Sequence, residues 1–359
     1  MIKTSGHVTN DLALPARIGF FTAMLVCVAL AALAVSRSSA EPTTTVRVGI
    51  ANASSDAAFF IADKRGYFKH EGIQVSFTAM TNMIAPLGTG QLDVGGISTS
   101  AALYNAAARG VDIKIVADKG STPPGHGYQP LLVRKDLVDS GKVKELRDLK
   151  GLKVAGFARG SASTSTLNEA LNKAGLKFAD VELVYMGFPQ HVLALQNKAV
   201  DASMTTEPSA TKAVQLGAAV RFVGDDVVYP NHQLAVVLYG GDFIKRRPDA
   251  AKKFMRAYIK AVRDYNDALI DGKLTGPKAQ DIIAIMTEYT EVKDPSVYRA
   301  ITSHGTNPDG RVYEASLKRD LQFYKEQGLI EGDINVEQVV DHSFVDAVVR
   351  ELGPYRARK

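Results

Sequence analysis

VRVGIANASSDAAFFIADKRGYFKHEGI, residues 46–73, is the stretch whose reading decides the fold of this 359-residue chain. Val46, Val48 and Ile50 alternate and then run into small residues, which predicts a short strand entering a turn. Asn52, Ser54, Ser55 and Asp56 follow, all residue types that cap a helix N-terminus. Phe59, Phe60, Ile61 and Ala62 supply the apolar face of that helix. Lys64 and Arg65 suit its last turn, and Gly66 stops it. A strand that opens into a helix start presents unpaired N–H groups to whatever lies in front of it. That arrangement binds a ligand without needing a catalytic residue.

The same device recurs. Lys153–Phe157 reads as a second strand, Arg159-Gly160-Ser161-Ala162-Ser163-Thr164 as a second small, hydroxyl-rich turn, and Ser165–Ala174 as its helix, stopped by Gly175. Downstream, Leu87-Gly88-Thr89-Gly90-Gln91-Leu92-Asp93 and Leu195-Gln196-Asn197-Lys198-Ala199-Val200-Asp201 share one Leu-to-Asp spacing. Each Asp leads into a strand and a hydroxyl cluster. These clusters are Ser98-Thr99-Ser100 in the first case and Thr205-Thr206 before Glu207-Pro208 in the second. The pattern predicts two similar α/β lobes that offer helix N-termini to a shared cleft.

The order of these phrases resembles the periplasmic substrate-binding proteins of ABC importers, in particular the nitrate/sulfonate/taurine and thiamine-precursor type. The resemblance runs from about Val46 to Val345. Gly66-Tyr67-Phe68 with Glu71-Gly72 is its most specific phrase, and Glu207-Pro208 is typical of the same group. It implies a two-lobe type II binding fold, a small-molecule ligand, an ABC permease in the inner membrane as partner, and a monomer that works in the periplasm. It does not name the ligand: sulfonates, nitrate-like anions, carboxylates and pyrimidines all remain candidates.

Residues 1–40 read as a secretory signal: a leader with Lys3 and Arg17, an apolar run over Ile18–Val35, and Ser38-Ser39-Ala40 before Glu41. The run is long enough that an uncleaved membrane anchor is the alternative. Without this segment the chain loses Lys3, Arg17, Arg37 and Asp11, and the net charge falls from +5 to +3. No basic run points to nucleic acid. Cys27 is the single cysteine, so residues 41–359 hold no disulfide and no thiolate nucleophile. The short signatures of nucleotide-binding loops, zinc proteases and serine hydrolases are absent, and the histidines are scattered. No catalytic residue, metal or cofactor is expected. An enzyme acting on a small molecule in the same cleft is the competing class.

The lobes are placed at 41–132, 133–237 and, for the return to the first lobe with C-terminal helices, 238–359, with the crossings on Pro130–Arg134 and Leu234–Tyr239. Ala79–Gly90, Asp136–Lys150, Tyr313–Gln327 and Val336–Leu352 are expected to be helical. Candidate ligand contacts in the first lobe are Ser54, Ser55, Asp56, Ser98, Thr99, Ser100 and Lys119. Those facing them are Arg159, Gly160, Ser161, Ser163, Phe188 and Glu207, with His232 in the loop before the return strand. Backbone N–H and hydroxyl donors suit an oxyanion, and Arg159 or Lys119 adds charge. Asp56 and Glu207 would instead favour an amine if they pointed into the cleft.

Overall fold

A computed structural model describes residues 43–357. The expected signal or anchor segment lies outside the described residues. Among the described residues no helix is long and apolar enough to cross a membrane.

The organising stretch folds as its pattern predicts. Strand β1 (Thr44–Ile50) buries Val46, Val48 and Ile50, and the Ala57–Lys64 helix buries Phe59, Phe60 and Ile61 beneath the sheet. Gly66 ends the helix with a left-handed backbone, φ +71°. A further helical turn, Tyr67–His70, starts at once where the sequence suggested only a stop.

Two five-stranded mixed sheets carry the fold. The first is ordered β2 (Ile73–Ala79), β1, β3 (Val94–Ser98), β10 (Gln233–Gly240), β4 (Ile113–Ser121). The second is ordered β7 (Glu182–Tyr185), β6 (Lys153–Gly156), β8 (Ala202–Met204), β5 (Leu131–Arg134), β9 (Ala219–Val223). In each, the first two neighbour pairs are parallel and the last two antiparallel. The Leu-to-Asp repeat has a structural counterpart. Asp93 accepts the Arg47 amide at 2.9 Å, and Asp201 accepts the Lys153 amide at 3.0 Å. Each carboxylate fastens its lobe's central parallel strand, β1 at its middle and β6 at its start, and each meets an arginine, Arg47 or Arg134.

Both strands expected to be crossings are full sheet members. The chain passes between sheets in 122–130 and 224–232 instead, because the pairing of β10 with β3 and β4 begins at Gln233. The linkers are laced together. Asp226 accepts the Gly125 amide at 2.9 Å, Asp225 accepts the Gln129 amide at 3.1 Å, and Thr122 Oγ1 accepts the His232 amide at 3.0 Å.

Three expected helices are shorter than predicted. Ala79 stays in β2, paired with Ile50, and only Ile84–Gly88 is helical. The 136–150 connector holds just the Lys135–Asp139 helix and a single turn at Leu146–Leu149, interrupted at Gly141 with φ +71°. Within 336–352, Val340 bridges to Ile115 of β4, so the helix proper begins at Ser343. The remaining C-terminal helices pack as expected on the first lobe. Phe254 of the Pro248–Asp267 helix stacks on Phe68 at 4.7 Å, and Tyr258 meets Phe59 at 5.2 Å.

Candidate functional site

The carboxyl ends of β1, β2 and β3 face those of β6, β7 and β8, which is where open α/β sheets hold ligands. The lobes touch there through main-chain hydrogen bonds. The Ser54 amide donates to Glu207 O at 3.0 Å, the Ala101 amide to Gly160 O at 2.8 Å, and the Ala162 amide to Thr99 O at 2.9 Å. Ser100 and Ser161 form a bridge between the two chains of the junction. Both are also N-cap residues, of the Ala101–Ala108 and Ala162–Lys173 helices. First-turn amides expected to meet a ligand are therefore used, in part, to hold one lobe to the other.

Between the contacts lies a chamber of about 500 Å³, lined from the first lobe by Thr81, Asn82, Ile84, Ile97, Ser98 and Ser100. The second lobe contributes Phe157, Arg159, Ser161, Tyr185, Met186 and Gly187. Behind Ser98 and Phe157 lies an inner chamber of about 30 Å³, walled by Ser55, Lys119, Gln129, Phe188 and Thr206 among others. That is about the share of one water molecule in the liquid. Gln129 Oε1 and Thr206 Oγ1 are buried without a hydrogen-bond partner.

The charges separate clearly. Lys119 is buried, and its Nζ lies 2.9 Å from Asp56 Oδ1 and donates to Ser55 Oγ at 2.8 Å. The other Asp56 oxygen accepts the amides of Ala51 at 3.2 Å and Ala53 at 3.0 Å. Gly96 makes room for the lysine: a Cβ there would fall 2.6 Å from Lys119 Cε. This pair is closed on itself, and Asp56 lines neither chamber. Glu207 is likewise consumed, by an ion pair to Arg221 and by the Thr211 amide at 2.9 Å. Arg159 differs. It is exposed at the chamber wall and makes no hydrogen bond or ion pair with the described residues.

Several candidates stand back from the chambers. The Ser54 side chain lies buried behind the wall, Thr99 donates to Gln233 O at 3.3 Å, and Ser163 bonds Ser161 at 2.8 Å. Gly160 shapes the turn at φ +64°. His232 is buried between Asp320, 2.7 Å from Nε2, and Thr166, 3.0 Å from Nδ1, and it stacks on Tyr229. It fastens linker to helix rather than facing a ligand.

Sequence reasoning passed over Phe157, Tyr185, Met186, Thr81, Asn82, Gln129 and Thr206. Most sit at or just past the carboxyl end of a strand, so strand ends were the usable signal. Phe157 stacks on Phe188 with centroids 4.6 Å apart. Burial raises the Tyr185 hydroxyl pKa, while the nearby Arg159 charge lowers it. The Met186–Phe188 wall is braced by His191, which meets Met186 O at 3.1 Å through Nε2 and the hydroxyls of Ser203 and Thr205 through Nδ1. Burial pushes its imidazole down to about 4. Among the described residues no cluster of His, Cys, Asp and Glu suits a metal ion.

Residues 54–267 match the sequence profile described as NMT1/THI5 like. The chain is 34% identical over 151 residues to an Escherichia coli (strain K12) protein that bears the provisional name aliphatic sulfonates-binding protein. That match covers 42% of this chain and 44% of the relative, less than half its length. A match at 26% identity over 221 residues, 57% of this chain and 62% of the other, is to a 4-amino-5-hydroxymethyl-2-methylpyrimidine phosphate synthase of Saccharomyces cerevisiae. The structure superposes on the periplasmic nitrate-binding protein of Synechocystis PCC 6803 with TM-score 0.70 at 14% identity, covering 87% of this chain and 89% of that one. The two-lobe fold is thus one used by periplasmic binding proteins, and this chain is a member of the NMT1/THI5-like family.

Proposed function

We propose that the chain is an extracytoplasmic solute-binding protein of an ABC importer. It captures a small organic anion of the sulfonate or carboxylate type between its lobes and delivers it to a membrane permease. The observation that carries this reading is the charge of the cleft: Arg159 stands in the chamber wall without a partner among the described residues, while Asp56 and Glu207 are each held by a cation of their own. A carboxylate or sulfonate there gains a charge-assisted pair, and hydroxyls of Ser98, Ser100 and Ser161 stand in the same wall. The Escherichia coli and Synechocystis relatives bear names of the same kind.

Capture follows from the hinge. Opening would break the contacts Ser54–Glu207, Ala101–Gly160 and Ala162–Thr99, and rotation would fall on the linkers 122–130 and 224–232. A ligand in the chamber adds contacts to both walls and so favours the joined form. The periplasm as location, cleavage of the leader, a monomeric state and the permease partner belong to the same proposal. The yeast relative keeps a pyrimidine-handling enzyme in view. Against that, neither chamber is lined by a carboxylate or imidazole among the described residues.

The test mixes purified protein with sulfonates, carboxylates, amines and pyrimidines, then reads both the unfolding midpoint and the mass of each compound after hours. An organic anion that raises the midpoint and is recovered unchanged supports binding. A compound that is consumed would move the assignment to an enzyme.

A further inference from the structure

The chamber is much larger than an inorganic oxyanion needs, and its walls are unequal. One wall mixes hydroxyl and amide groups, from Thr81, Asn82, Ser98 and Ser100, with the aliphatic Ile84 and Ile97. The other is aromatic and thioether, from Tyr185, Phe157 and Met186, and Phe157 is held by its stack on Phe188. Tyr185 is 40% exposed, a large apolar surface left open to the cleft. A ligand that covers this ring removes apolar surface from water. Arg159 and Tyr185 line the same chamber. The space of about 500 Å³ lies within the range of pockets that enclose drug-sized molecules. Nitrate or a two-carbon sulfonate would leave most of it unfilled and the aromatic wall uncovered. The inner chamber is too small for a ring, which keeps the ligand body in the outer one.

We propose that the cleft selects an arene monoanion, an aryl carboxylate or aryl sulfonate whose acid group pairs with Arg159 while its ring lies along Tyr185 and Phe157. This rests on the anion-binding reading above and adds the body of the ligand to its charge. Ring stacking of this kind favours offset or edge-to-face geometry.

Isothermal titration of the purified protein with benzenesulfonate, naphthalene-2-sulfonate, benzoate, ethanesulfonate and nitrate tests it. The aryl sulfonates bind about tenfold or more tightly than ethanesulfonate, and nitrate is weakest. Tyr185→Ala weakens the aryl sulfonates about tenfold more than it weakens ethanesulfonate, which removes most of the aryl advantage. Arg159→Gln weakens every sulfonate together. Ethanesulfonate or nitrate binding as tightly as the aryl compounds overturns the proposal and leaves the anion reading standing. So does an aryl preference that survives Tyr185→Ala. If no anion binds and Arg159→Gln changes nothing, the anion reading itself falls, and this proposal with it.

Discussion

The turn after β1 and the turn after β6 are built from the same sequence device, yet they handle charge in opposite ways. In the first lobe, Asp56 folds back on the amides of Ala51 and Ala53 and is neutralised by Lys119, with both side chains out of solvent. In the second, the turn carries no acid, and Arg159 lines the chamber with no ion-pair partner among the described residues. The first turn keeps its acid within the fold, and in the proposed function the second turn is what sets the sign of the ligand. A hydroxyl-rich turn leading into a helix does not tell these roles apart. What separates them is the lysine on β4, more than 60 residues away in sequence, as the 64-residue span from Ser55 to Lys119 shows.

The contrast breaks most visibly at Asp56. Asp56→Ala leaves Lys119 charged and buried with one hydroxyl for company, and removing one partner of a buried pair costs about 3–5 kcal/mol. Denaturant unfolding should show that loss, and Asp56→Leu combined with Lys119→Met should recover much of it. Near-wild-type stability of Asp56→Ala alone would show that the first turn is not the closed unit described here.

The next effect is a pH dependence confined to the second lobe. The His191 imidazole titrates at about 4 when folded, against an ordinary value of about 6.5. Between those values the unfolded chain binds a proton that the folded chain does not. Folding is thus penalised as pH falls from 6.5 toward 4, by about 3 kcal/mol when complete. Asp118, raised to about 6 by burial, and Asp225, raised to about 8, act in the opposite direction, losing stability as pH rises. The readout is therefore the difference between wild type and His191→Asn. Wild type loses its advantage over this range, and parallel pH curves for the two would refute the assignment.

A smaller effect belongs to the junction of the lobes. Gly160 has φ +64°, and a Cβ there would lie 3.0 Å from Ala101 Cβ. Gly160→Ala should cost about 1–2 kcal/mol from the left-handed backbone and the contact together, and weaken ligand binding by hindering lobe contact. The smallest effect on stability is at Arg159. Since it has no hydrogen-bond or ion-pair partner among the described residues, Arg159→Gln should shift unfolding by less than about 0.5 kcal/mol. A large loss there would mean the arginine supports the fold.

Much of the fold was readable because its signals are local. Alternation in β1, the cap residues around Ser55 and the matched spacing to Asp93 and Asp201 each report on a neighbourhood of a few residues. The duplicated lobes follow from their repetition. The errors came from tertiary competition. Val339 and Val340 would suit a helix, but the open edge of β4 recruits them. Helical promise across 136–150 ends at Gly141. The site was half legible for the same reason. Ser98, Ser100, Ser161, Ser55, Lys119, Arg159 and Phe188 line the chambers, as cap and strand-end residues should. His232 was a candidate contact because it lies in a loop before the return strand, and no local signal revealed Asp320, 88 positions on, which captures it. Tyr185 and Phe157 looked like ordinary strand residues, because nothing in their spacing shows that the sheet ends at a cavity.

The most direct test of the central claim is a side-by-side titration of wild type and Arg159→Gln with benzenesulfonate, after confirming that both unfold at the same midpoint. The account predicts binding by wild type and a loss of about threefold to fivefold in the variant, as expected for a charge pair at an exposed arginine. Equal affinity in the two proteins would contradict it, because the second lobe's turn would then not be what gives the cleft its charge.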